Sequence, residues 1–175
     1  NNLIIDQNST KTASANLDVD GDLTIDNSAT LSMSVSNYTL NLEGNFTINS
    51  GTFTAGTGSH DVAGNWDDSN SSGGFTPSAG TVTLSGSSKT INTHSGNNFF
   101  NLTSTGDKTV QSELDINGNL TVSSGEFALG ANNVDVASSK TVDCDGTISL
   151  STSVFTANGP SDFTNGTLSI SSTGT

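Results

Sequence analysis

Apolar residues in this chain come in short bursts separated by single polar residues: Leu17 and Val19, Leu23 and Ile25, Leu40 and Leu42, Phe46 and Ile48. The same alternation returns at Leu120 and Val122, at Val142 and Cys144, and at Leu168 and Ile170. A period of two residues predicts short β-strands with one face turned inward. Glycine and Asx residues punctuate the bursts, as in Asp20-Gly21-Asp22 and Glu43-Gly44-Asn45. Such pairs predict turns, with Gly accepting positive φ and Asx bonding to its own backbone. No stretch carries a 3.6-residue apolar period or a helix-length run of helix formers.

The bursts also repeat. Residues 44 to 62, GNFTINSGTFTAGTGSHDV, return as residues 118 to 136, GNLTVSSGEFALGANNVDV, with nine of nineteen positions identical. Asp115 to Val122 matches Asp18 to Ile25 as well, and Asn101-Leu102 echoes Asn2-Leu3. A shorter unit underlies both matches: Gly21, Gly44, Gly64 and Gly86 lie 20 to 23 residues apart, and the Gly-x-Phe-Thr segment at Gly51 is copied at Gly73. All four lysines fall in one motif, at Lys11, Lys89, Lys108 and Lys140, each followed by Thr and an apolar residue.

An all-β chain with this period has few architectures open to it. A propeller blade needs about forty residues, whereas a solenoid needs one coil every ~20. The expectation is one domain over residues 1–175, an all-β parallel β-solenoid with coils of about 20–23 residues, right-handed by the default of strand twist. In this arrangement Leu23, Phe46, Trp66 and Leu120 share one inward row, and Ile25, Ile48 and Val122 another. Thr24, Thr47 and Thr121 line an outer face, and Pro77 belongs to a turn. Eight or so coils at ~4.8 Å give a rod of roughly 40 Å.

Composition narrows the function classes. Ser, Thr, Asn and Gly supply 95 of 175 residues, and the formal charge is −13, with four Lys and no Arg. Nucleic acid is not an expected partner, since phosphate binding draws on clustered basic residues. Anionic membrane surfaces are disfavoured on the same ground, and no apolar run approaches a membrane span. A lone Cys144 reads as a small core residue. Seven Asn-x-Ser/Thr triplets, at Asn8, Asn37, Asn45, Asn70, Asn101, Asn119 and Asn165, follow from the abundance of these residues.

Candidate chemistry is thin. Asp18-x-Asp20-Gly21-Asp22 has the look of a calcium loop, but its copy Asp115-x-Asn117-Gly118-Asn119 replaces acids with amides, so it reads as a turn, as does Asp143-Cys144-Asp145-Gly146. Asp67 and Asp68 are adjacent on a strand and should point to opposite faces. His60 takes the place of Val134 in the repeat, an interchangeable coil position, and His94 is the only other imidazole. Trp66 reads as core rather than a sugar platform. Thr52-x-Thr54 and Thr81-x-Thr83 suggest an ice-binding face, though the pattern does not recur coil after coil in the sequence. No catalytic, cofactor-binding or metal-ligating residue is assigned and no cofactor is expected.

The recurring x-Gly-Asn-[Leu/Phe/Trp]-Thr-[Ile/Val] units, the Asn-Leu openings and the Ser-Gly-x-Phe segments resemble the repetitive β-solenoid regions of large secreted bacterial surface proteins, adhesin-like and filamentous-haemagglutinin-like. That resemblance implies an extracellular or cell-surface setting. The expected function is a non-enzymatic structural or adhesive rod, in a filament or sheath, whose partners are neighbouring coils, identical subunits stacked head to tail, and surface glycans. A carbohydrate-binding or carbohydrate-cleaving β-helix is the alternative, with ice binding third. The pattern runs to both ends without a polar cap, so further coils are expected beyond them.

Overall fold

The computed structural model describes residues 1–34, 36–69, 74–94 and 99–171. Among them all secondary structure is β-strand, mostly three or four residues long, and every strand pair is parallel. The chain winds as a solenoid of about eight turns, each turn contributing one strand to each of up to three faces. One face is a nine-stranded sheet running from Leu3–Ile5 through Leu23–Ile25, Phe46–Ile48 and Trp66–Asp68 to Thr167–Ile170. A second is an eight-stranded sheet from Leu17–Val19 to Ser161–Asp162.

The third face is split. A four-stranded sheet holds Thr10–Thr12, Thr30–Ser32, Thr52–Thr54 and Gly74–Thr76, and a three-stranded sheet holds Leu114–Ile116, Val134–Val136 and Phe155–Ala157. Phe99 links the second of these backward by a parallel bridge to Ile116. Along the nine-stranded sheet the step between paired residues runs from 19 (Ile91 to Val110) to 25 (Trp66 to Ile91), wider than the 20 to 23 expected from the glycines. The solenoid absorbs the variation in its corners while the strands keep register.

Alternation puts one side chain of each pair inside along most of the rod, but in the last strand Leu168 and Ile170 are exposed, since no further coil covers them among the described residues. Leu3, Leu23, Phe46, Trp66, Ile91 and Val110 form one inward row, and Leu17, Leu40, His60, Val82, Leu102, Leu120 and Val142 another. Leu120, Val122 and Thr121 therefore do not share rows with Phe46, Ile48 and Thr47, contrary to the sequence expectation. The copy at 118 to 136 is displaced by one face. Its strand Leu120–Val122 lies in the eight-stranded sheet, Glu126–Ala128 in the nine-stranded sheet and Val134–Val136 on the third face. The repeating unit is thus a strand and its corner, about a third of a coil. Every face imposes the same inward–outward demand, so the same sequence serves on any of them.

An aromatic wedge fills the middle of the rod. Phe46 and Trp66 stack at 4.2 Å and 18°, Trp66 meets Phe75 edge-on at 5.0 Å, and Phe99 lies 5.0 Å from Trp66. Stacked and edge-to-face geometries each add about 0.5–1.5 kcal/mol beyond the area they bury. Trp66 is core, as its place in the inward row requires.

Candidate functional site

The corners account for most of the polar residues. Asn2 Oδ1 accepts the N–H of Asp22 (3.0 Å), Asp22 Oδ1 that of Asn45 (2.8 Å), Asn45 Oδ1 that of Asn65 (2.9 Å), and Asn65 Oδ1 that of Thr90 (3.0 Å). A second ladder runs from Asn101 to Asn119 to Thr141. In each case the Asx residue stands directly before the first inward residue of a strand. Sequence reasoning assigned these residues to their own turns, whereas their side chains reach one coil along the axis. Most of these bonds are exposed and only the Thr90 N–H is part-buried, and a donor left unpaired away from water costs about 1–3 kcal/mol. Bonding one coil to the next gives the Asn abundance a structural reason.

Hydrogen bonds to the next coil engage the loop that has the look of a calcium site. Asp22 is occupied by the backbone and side-chain amides of Asn45, Asp18 accepts the Asn41 side-chain amide at 2.8 Å, and Asn119 fills the same role as Asp22 with an amide oxygen. Among the described residues no group of three His, Cys, Asp or Glu side chains could hold a metal ion. Acidic residues do stack in pairs on outer faces, Asp115 on Asp135 and Asp143 on Asp162. Each pair borders an open surface depression, and the larger, of about 400 Å³, is lined by Thr141, Val142, Asp143, Pro160, Ser161 and Asp162.

Of the remaining candidates, Asp67 and Asp68 diverge as strand geometry dictates. Asp68 is buried and accepts the Phe75 N–H at 2.9 Å. Cys144 is buried opposite Val122 in an inward row, and burial pushes its thiol up, with the backbone of Gly146 and Thr167 opposing. His60 is buried between Leu40 and Val82, and burial holds its imidazole below its usual value. These three side chains sit in different rows of the interior. The Asn-x-Ser/Thr triplets at Asn45, Asn101 and Asn119 begin on ladder residues, and the one at Asn70 lies outside the described residues.

Lys108 departs from the surface role expected of lysine. Its side chain turns inward, and Nζ donates to the backbone carbonyls of Gly86, Thr105 and Gly106. Burial lowers its pKa, opposed by the charge of Asp107. Lys89 is its register neighbour, but Lys11 lies on the four-stranded sheet and Lys140 in a corner, so the shared Lys-Thr motif does not mark a shared row.

One surface is more regular than the sequence suggests. On the four-stranded sheet Thr10, Thr30 and Thr52 are register partners, and Thr12, Ser32, Thr54 and Thr76 form a parallel row. Thr-x-Thr itself occupies two of these four strands, Thr10–Thr12 and Thr52–Thr54, and Thr81-x-Thr83 lies on the eight-stranded sheet. What recurs from coil to coil is the hydroxyl row, with Ser32 in the second row and Gly74 closing the first. Sequence reading missed it because Thr10-Lys11-Thr12 and Thr30-Leu31-Ser32 differ at the central residue; the offsets of 20 and 22 to the next coil were the available signal. Hydroxyls in such an array lie about 4.8 Å apart across strands and roughly 6.6 Å apart along them. The outward positions of this sheet carry no acidic or basic side chain, whereas the eight-stranded face presents Asp18, Asp61, Asp143 and Asp162. Comparison of the chain with protein-family models, curated proteins and solved structures finds no match.

Proposed function

We propose that this chain is a non-enzymatic structural or adhesive segment of an extracellular surface rod. The supporting observation is the use to which its polar chemistry is put: ladder Asn and Asp side chains bond the next coil, and the described histidines, lysines and cysteine include three buried side chains, His60, Lys108 and Cys144. A parallel coil of this kind is extended by another coil meeting its edge strands, in the same chain or in an identical subunit. Its acidic outer faces keep the rod soluble. Antibodies raised against the chain should label intact producing cells, and labelling that appears only after permeabilisation would overturn the reading.

A second reading, binding to ice, is favoured by the threonine rows of the four-stranded sheet. Uncharged hydroxyls at fixed spacing on one face offer a periodic template to an ordered water surface. The carbohydrate reading rests on the Asp143–Asp162 pair beside its open depression, while Trp66 is buried and offers no stacking platform.

A further inference from the structure

His60 is 1% exposed, and neither ring nitrogen has a hydrogen-bond partner. It stands in an inward row otherwise filled by Leu40 on one side and Val82 on the other, and its ring meets Phe53 edge-on at 5.5 Å. A valine would satisfy that position, as Val82 does one coil on. A neutral imidazole is tolerated there as an imperfect apolar residue. An imidazolium is not, because it would bury a charge with no counter-ion.

Burial lowers the imidazole pKa and the Gly56 backbone pulls it back up, but no acidic side chain among the described residues faces the ring. On its own strand Asp61 faces outward and accepts the Ser85 hydroxyl. The flanking strands Leu40–Leu42 and Thr81–Leu84 carry no charged side chain, nor does Thr52–Thr54, which presents Phe53. Asp68, the carboxylate buried in the next turn, is engaged by the Phe75 amide. His94, the other imidazole, is only partly buried.

We propose that His60 makes the stretch of rod around residues 40 to 84 an acid-sensitive joint, which opens locally at mildly acidic pH while the coils beyond it stay wound. Solenoid stability is a sum over neighbouring coils, so one weakened junction opens without unfolding the whole. The sign follows from the lowered folded-state value. Above the ordinary imidazole pKa of 6.5 neither state binds the proton and nothing changes. Below it the opened form is protonated and the closed form is not, so closure weakens as pH falls, by about tenfold per pH unit until the folded-state value is reached.

Hydrogen exchange at pH 7.5 and pH 5.0, corrected for intrinsic rates, tests this. Amides of 59–62 and 81–84 should lose protection in the wild type, by at most about thirtyfold, while 120–122 and 142–144 keep theirs. The His60→Val chain should hold protection at both pH values, and His94→Ala should behave as wild type. Equal loss in His60→Val, loss spread evenly along the rod, or no loss at all would each overturn the proposal. An NMR titration of the wild-type imidazole gives an independent arm, in which an inflection at or above the ordinary histidine value would also sink it.

Discussion

Asn45 stands between two coils, its N–H bonded to Asp22 Oδ1 at 2.8 Å and its own Oδ1 accepting the N–H of Asn65 at 2.9 Å. This one relationship explains why Asn or Asp precedes so many strands. An Asx side chain is long enough to cross to the next coil and carries an acceptor of the right kind, and the amide and the acid serve equally in accepting the bond.

The ladder should therefore tolerate acid for amide and reject alanine. Asn65→Ala leaves the Thr90 N–H without its acceptor and should lower stability by about 1–2 kcal/mol. Asn65→Asp keeps the acceptor and should stay within about 0.5 kcal/mol of wild type. Urea midpoints of the two variants measure the difference, and equal losses would remove the ladder from the account.

The corner glycines are held by close approach. A Cβ on Gly64 would overlap the Gly44 carbonyl of the preceding coil, whereas a Cβ on Gly130 meets no atom within 4 Å but sits at a φ of +60°. Gly64→Ala should cost about 3 kcal/mol or more, since backbone must move, and Gly130→Ala only about 1 kcal/mol, the left-handed penalty. Thermal melts of the pair rank them directly.

Trp66 reports on the wedge it helps to form. Its indole packs against Phe46, Phe75 and Phe99, so Trp66→Ala should destabilise by about 3–5 kcal/mol and Trp66→Phe by less. As the only tryptophan it should emit in the blue when folded and shift red on unfolding. A red emission from the folded chain would contradict its burial.

Trypsin distinguishes the lysines by their surroundings. Lys11 is exposed, while Lys108 is 2% exposed with its ammonium held by three backbone carbonyls. Limited digestion followed by mass spectrometry should show cleavage after Lys11 well before any after Lys108. Early cleavage at Lys108 would mean that the coil there is not closed.

Ice binding is checked on the four-stranded face. If its hydroxyl rows template ice, the wild-type chain inhibits ice recrystallisation, and Thr52→Glu, placing a charge in the centre of the array, should abolish this without unfolding the rod. A wild-type chain with no effect on ice growth removes the second reading.

Much of this fold is legible without coordinates. The alternation at Leu23-Thr24-Ile25 or Leu120-Thr121-Val122 fixes which side chains go inside, because a strand permits only two faces and apolar groups leave water. Glycines at 21, 44 and 64 mark the corners, and their backbones do stack from coil to coil through the Gly44 and Gly64 amides. The interior places of Trp66, His60 and Cys144 follow from the same pattern.

What the sequence by itself determined, then, is the inward or outward sense of most strand residues, Lys108, Leu168 and Ile170 excepted, and the existence of a coil. Which face each strand occupies was decided only by the tertiary structure. Gly118 to Val136 looks like Gly44 to Val62 because all faces ask for the same corner and the same alternation, and nothing local distinguishes one face from the next. Register depends on the number of residues spent in every preceding corner, between 19 and 25 per coil along the nine-stranded sheet. Only the wound chain adds up those lengths, and so it alone brings Thr10, Thr30 and Thr52 into one row and sends Leu120 to a different face from Phe46.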